Sequence, residues 1–171
     1  MGLNIPEIVV TTLSIILAWF FYPLIFGAIW QPTPKNIVKK MLLMARVSSS
    51  DLLFDLGSGD GRIVITVARE FGAKSVGVEI DPILVLLSRI KIKFHGLEDR
   101  TEIIWGNLFR KDLSNATVVT VFLKQSVNNS LKEKFRRELR QGTRIVSYIH
   151  TFEGWTPVKS DEEAKIFLYI I

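Results

Sequence analysis

LLFDLGSGDGRI, residues 52–63, runs from an apolar pentad into three glycines at alternate positions, Gly57, Gly59 and Gly61, and then into Arg62 and Ile63. A short apolar run stopped by a turn signal reads as a strand buried on both faces. The glycines allow a tight turn and let a ligand come close to the backbone, and a helix follows from about Arg62 to Glu70. The same unit recurs downstream. SVGVEI (Ser75–Ile80) is a second strand, after which Asp81 can cap and Pro82 open a helix reaching about Phe94. EIIWGN (Glu102–Asn107), TVVTVFL (Thr117–Leu123) and RIVSYI (Arg144–Ile149) are further strands, and KIFLYII closes the chain as a strand antiparallel to its neighbours. Ser130 with Glu133 forms a capping box for a basic helix that stops before Gly142. Apolar strands alternating with helices predict a mostly parallel sheet covered on both faces, a three-layer α/β domain spanning residues 31–171.

Upstream, QPTP (Gln31–Pro34) is a stiff hinge in which Thr33 can cap, and Pro34 can open, a helix whose Ile37, Val38, Met41, Leu42 and Ala45 recur at helical spacing. Before the hinge, Ile8–Trp30 is 23 residues without a charge, the length of a membrane-spanning helix. Pro23 should interrupt it, and Trp30 sits where an interfacial anchor belongs. MGLNIPE lacks the basic residues of a signal peptide. Residues 1–30 are therefore expected to be a single-pass transmembrane anchor, with the lipid bilayer as partner through residues 8–30. Glu7 ahead of the segment and Lys35, Lys39, Lys40 and Arg46 behind it place the rest on the cytoplasmic side of the cell membrane. A mitochondrial inner membrane is the alternative, less favoured because no Arg-rich leader precedes the segment.

The 171 residues carry a net charge of +5, yet all 22 basic residues and 16 of the 17 acidic ones lie from Lys35 onward. Cysteine is absent and there are two histidines, His95 and His150. That composition excludes a disulfide scaffold, a thiolate nucleophile and a sulfur-ligated zinc, and no metal site is expected.

In an open parallel sheet, ligands bind beyond the carboxyl ends of the strands at the switch point of strand order. Glu79, ending the second strand, can accept ribose hydroxyls. That placement also suits a nicotinamide dinucleotide, so Asp55 decides. It puts a negative charge where a pyrophosphate would lie, which favours a ligand carrying an amino group and a sulfonium; Asp60 adds to it. No Gly-Lys-Ser/Thr follows the glycines, so a phosphate-cradling loop is excluded.

PTP (Pro32–Pro34), DLGSGDGRI (Asp55–Ile63), VGVEID (Val76–Asp81), GNLF (Gly106–Phe109) and ATVVTVFL (Ala116–Leu123) resemble class I, Rossmann-like S-adenosylmethionine-dependent methyltransferases. More specifically, they are similar to the archaeal protein-lysine methyltransferases and their membrane-anchored mitochondrial relatives. The resemblance implies S-adenosyl-L-methionine as cofactor, with Asp55 near its amino group, Gly57, Gly59 and Gly61 lining it, and Glu79 on the ribose. It also implies Asn107 by the adenine amino group, and Thr33 and Pro34 at the entrance. Phe122 and Leu123 stand where amino-methylases of nucleic-acid bases carry Asn/Asp-Pro-Pro-aromatic, and FLKQ is not that motif. The expected function is a membrane-tethered protein-lysine N-methyltransferase acting on a membrane-associated protein. The alternatives are methylation of RNA or of a small membrane-associated molecule, and a non-catalytic anchored cofactor-binding module.

Methyl transfer to nitrogen needs a neutral amine held in line and shielded from water. Glu153 and Tyr148, near strand ends, are the catalytic candidates, each with a plainer reading as a solvated and a sheet-packing residue. His150 can shape a channel or make a surface hydrogen bond, and His95 suits a helix C-cap. Trp155 can wall an entrance or pack. The helix with Lys132, Lys134, Arg136, Arg137 and Arg140 can attract an anionic partner or be a solvated face.

Overall fold

The apolar runs pair into one seven-stranded sheet of order β3-β2-β1-β4-β5-β7-β6. In this computed structural model, residues 4–26 and 31–171 are described, with residues 18–26 described by backbone alone. The strands are β1 (Leu52–Leu56), β2 (Lys74–Glu79), β3 (Thr101–Trp105), β4 (Val118–Val121), β5 (Arg144–Tyr148), β6 (Lys159–Asp161) and β7 (Ile166–Ile170). β1 to β5 pair in parallel, while β7 runs antiparallel to both β5 and β6. The helices are α1 (Ile5–Phe26), α2 (Lys35–Met44), α3 (Arg62–Thr66, continuing as a π-turn over Val67–Phe71), α4 (Pro82–Phe94) and α5 (Gln125–Glu138). The chain divides into two units, Met1–Pro32 and Thr33–Ile171.

The expected sheet is therefore present, and several local expectations are corrected. α5 starts at Gln125 rather than Ser130, whose hydroxyl donates to the Ser126 carbonyl inside the helix, so there is no capping box. Pro34 takes the N-cap position of α2 and Thr33 makes no side-chain cap. His95 does hold the C-cap of α4, and Asp81 caps that helix through the amides of Ile83 and Leu84. β6, three residues with two of them exposed, carries too little apolar signal to be read from sequence.

The transmembrane expectation is overturned. Among the described residues no helix is long and apolar enough to cross a membrane. α1 runs through Pro23 to Phe26. Its described side chains end at Leu17 and include Glu7, Thr11, Thr12 and Ser14, the three hydroxyls donating back to carbonyls one turn earlier. Trp30, the expected interfacial anchor, lies outside the described residues. The single-pass topology, the bilayer partner through residues 8–30, the cell-membrane or mitochondrial inner-membrane location and the tethering of the activity fall with it.

Alternation along each strand sorts the side chains into two layers. On one face, Leu53, Val118, Val146, Ile166 and Leu168 pack against Val38, Met41, Leu42 and Ala45 of α2 and its end, and Ile63 and Val67 of α3 and its π-turn. Further along the same face, Ile103 meets Val64 of α3 with Val85 and Ile92 of α4. On the other, Phe54, Leu56, Val78, Val119, Val121, Ile145 and Tyr169 pack against Leu131 and Phe135 of α5. Strand order turns back between β1 and β4, so the crevice expected for a ligand opens at their carboxyl ends.

Candidate active site

Asp55 is the second-last residue of β1 and belongs to the α2/α3 face, beside Gly77 of β2 and Thr120 of β4 in register. It is 2% exposed, and its carboxylate accepts from Thr120 Oγ1 at 2.7 Å. Burial pushes its carboxyl up to about 7; the Thr120 bond opposes this, and the charges of Glu79 and Asp60 add to it. A buried acid with no cation beside it is the complement of a cationic ligand group.

The chain then folds over the end of β2. The amides of Gly57 and Ser58 both donate to the Val78 carbonyl, at 2.9 and 3.1 Å. Gly57 has φ +79°, and a Cβ there would stand 2.8 Å from Leu123 Cδ2, so this turn requires glycine. Gly77 is a second obligate glycine: a Cβ would meet Ser58 Oγ and Ile103 Cδ1, both at 2.6 Å. Glu79, 8% exposed, ties the loops together, one oxygen accepting the Gly59 amide at 2.8 Å and the other the amides of Ile80 and Asp81 at 2.8 and 2.9 Å. A carboxylate offers about four lone-pair positions, so three are used and capacity for a hydroxyl remains on the Gly59 side.

Asp60 is neutralised within the protein. Arg62 grips it through two nitrogens at 2.8 and 3.0 Å, and Lys91 of α4 reaches it at 2.7 Å. Burial alone would raise the Asp60 carboxyl; those hydrogen bonds and charges bring it down to about 2. Arg62 also donates to the Thr33 carbonyl at 2.8 Å, fastening the entry to α2 onto the glycine loop. Thr33 is thus brought to the site by its backbone and is itself buried. Asn107, exposed, precedes a 3-10 turn (Leu108–Arg110) beyond β3, and its Oδ1 accepts the Phe109 amide at 2.8 Å.

The two catalytic candidates are separated. Tyr148 ends β5 on the same face as Asp55 and Thr120, and its ring lies 4.7 Å from that of Phe122 beyond β4. The next residue, Ile149, has φ +67°, unusual for a β-branched residue, and there the chain turns past the carboxyl end of β5. The chain then packs on α5: Phe152 and Trp155 join that layer, the Glu153 amide donates to Asn129 Oδ1, and the Glu153 carbonyl accepts from Lys132. Glu153 therefore stands on the α5 side, its carboxylate exposed, across the sheet from Asp55. His150 lies at the turn, and its carbonyl accepts from the Asn128 amide and the Ser147 hydroxyl. Trp155 packs on Phe152 and Tyr169 with Arg136 over its ring at 5.5 Å. The basic helix is mostly paired internally: Lys134 is 5% exposed and bonded to Glu138, Arg136 meets Glu133, Arg137 meets Glu138, and Arg140 meets Asn115.

Arg62, Lys91, Gly77 and Thr120 were not singled out from the sequence. For Thr120 a signal exists, a polar residue inside the apolar run TVVTVFL; for the other three only the folded loop reveals the part played.

The groups gathered here fit S-adenosylmethionine: a buried carboxylate with no cationic partner for a cationic amino group, a second carboxylate with one lone-pair position open for ribose, and glycines where a Cβ has no room. A Saccharolobus islandicus (strain REY15A) protein-lysine N-methyltransferase is 43% identical over 149 residues, covering 83% of this chain and 92% of that protein. A Mus musculus adenine nucleotide translocase lysine N-methyltransferase is 36% identical over 107 residues, covering 62% of this chain and 46% of its own length. A crystal structure described as an RNA methyltransferase from Salinibacter ruber in complex with S-adenosyl-L-homocysteine superposes with a TM-score of 0.80 at 44% identity, covering 82% of this chain and 94% of that one. Residues 55–159 match the family described as the ANTKMT methyltransferase domain. With that match, the chain belongs to the ANTKMT methyltransferase family and is an S-adenosylmethionine-dependent methyltransferase.

Proposed function

We propose that this enzyme methylates the side-chain nitrogen of a protein lysine, residues 31–171 forming the methyltransferase domain. The observation that carries the reading is the 43% identity extending over 92% of a protein-lysine N-methyltransferase. In this reading Asp55 receives the cofactor's amino group, Gly57, Gly59 and Gly61 line it, Glu79 takes a ribose hydroxyl, Asn107 borders the adenine, and Thr33 and Pro34 form the entrance. When bound, S-adenosylmethionine supplies an electrophilic methyl on sulfur for direct in-line transfer to nitrogen.

The protein's own residues have two tasks. A free lysine amine is protonated at neutral pH, with a pKa of about 10.4, and desolvation favours its neutral form. In this reading Phe122 and Tyr148, on the Asp55 face with ring centroids 4.7 Å apart and ring planes inclined at 59°, wall the lysine stem and exclude water there. In this reading the Tyr148 hydroxyl is the polar group of that wall and accepts one amine N–H, which aims the nitrogen lone pair. Glu153, across the sheet, has no part in this reading.

A second reading, an RNA substrate, is favoured by the 44% identity to the Salinibacter ruber structure described as an RNA methyltransferase. Against it stand FLKQ at the end of β4 and the internal pairing of the α5 cations. Incubation of the full chain with methyl-labelled cofactor and separated protein and RNA fractions, followed by hydrolysis to amino acids and nucleosides, tests both. Label is expected as methyllysine. Label in nucleosides and never in protein would overturn the proposal.

A further inference from the structure

We propose that Thr120, buried on β4 beside Asp55, is the positioning residue whose hydroxyl hydrogen bond holds the Asp55 carboxylate in its charged form to receive the cofactor's amino group. This rests on the reading of Asp55 given above. Thr120 is 0% exposed and is the register partner of Asp55 on β4. Its hydroxyl has two acceptors in reach, Asp55 Oδ1 at 2.7 Å and the Phe54 carbonyl at 3.5 Å. One hydrogen cannot serve both, and the shorter contact takes it, so the hydroxyl donates to the carboxylate. A carboxylate that accepts a hydrogen bond is favoured over its protonated form.

Packing does not explain the hydroxyl. Val118, two residues earlier on the same strand and face, fills its place with an apolar side chain, as does Val146, the β5 neighbour of Thr120. Valine has nearly the shape of threonine, so apolar contact alone would be met by valine.

Every other influence on Asp55 opposes its ionisation. Glu79 from the end of β2 and Asp60 from the glycine loop add like charge, and Gly77 beside it on β2 brings no group at all. Arg62 of α3 and Lys91 of α4 are bound to Asp60. α2 and α3 otherwise bring apolar side chains to this face, Val38, Met41 and Ile63 among them. Among these named neighbours only the Thr120 bond pulls against burial, in a balance that settles at about 7. The carboxylate would then be available around neutrality because Thr120 supports it.

The test is titration of the full chain with S-adenosylhomocysteine across pH, for wild type, Thr120→Val, Thr120→Ala, Thr120→Ser and Asp55→Asn, with NMR titration of the Asp55 carboxyl carbon alongside. Losing a hydrogen bond to a charged group moves the Asp55 titration up by about one pH unit. The ligand's own ionisation is common to all proteins and cancels in the ratio of affinities. Thr120→Val should then bind about fivefold more weakly than wild type near pH 7 and about ninefold more weakly near pH 6, converging above pH 9. Thr120→Ala should follow the same curve by a different packing route, and Thr120→Ser should restore the wild-type profile. A pH-independent loss in both Thr120→Val and Thr120→Ala, or an Asp55 titration unmoved in either folded variant, would overturn the proposal while leaving the role of Asp55 standing. Wild-type affinity in Asp55→Asn would overturn that role itself.

Discussion

Removing the charge of Asp55 should stabilise the protein without its cofactor, by an amount set by pH. Burial holds that carboxyl at about 7 in the fold against an ordinary 3.8. Between those values the native chain keeps a proton that the unfolded chain has released, so stability falls as pH rises and levels off above the folded value. At about 1.4 kcal/mol per pH unit, the gap corresponds to about 4 kcal/mol above neutrality. Asp55→Asn abolishes that penalty but places an amide in the pocket, whose unmatched donors cost about 1–2 kcal/mol. The variant should therefore be more stable than wild type by about 2–3 kcal/mol near pH 8, and less stable by about 0.5–1.5 kcal/mol near pH 4. Urea unfolding of both proteins without cofactor, at about one-unit steps between those pH values, reads the difference directly. Saturating S-adenosylhomocysteine should shrink or reverse the alkaline gap, because wild type binds it more tightly. A stability difference constant across the whole range would refute the reasoning, since the carboxyl would then titrate alike in the folded and unfolded chain.

Other variants probe the remaining parts of the site. Gly57→Ala must adopt φ +79° with a Cβ 2.8 Å from Leu123, so it should lose about 1–2 kcal/mol by denaturant unfolding and weaken S-adenosylhomocysteine binding together. Arg62→Met cuts the bonds to Asp60 and to the Thr33 carbonyl, so hydrogen exchange should speed up at the start of α2 and cofactor affinity should fall about five- to tenfold. Tyr148→Ala should lower kcat/KM by at least about tenfold, whereas Glu153→Gln should stay within about twofold of wild type; the reverse order would move the substrate channel to the α5 side.

Much of the site was legible because it sits in one local segment. Asp55 and the three glycines fall within seven residues, and their spacing carries the turn. Glu79 was legible as the last residue of an apolar strand, with Asp81 and Pro82 marking the next helix. Glu153 and Tyr148 were candidates because both lie near strand ends, and the left-handed turn at Ile149 separates them onto opposite faces. The early start of α5 and the short strand β6 escaped because neither carries a strong local signal. The membrane reading rested on the length of an uncharged run and on the residues flanking it, and gave no weight to the hydroxyls of Thr11, Thr12 and Ser14 within that run.

The sequence by itself determined the strand–helix alternation, the glycine turn, the acidic character of the crevice and the family, because these depend on residue type and on spacing within a few positions. The tertiary structure decided how each charge is used. Asp60 and Asp55 are five residues apart, yet Arg62 and Lys91 answer one while burial leaves the other with a single hydroxyl from a strand 65 positions away. Ionisation depends on what surrounds a group in space. Those surroundings come from strand register and helix packing, which bring together residues that lie far apart along the chain.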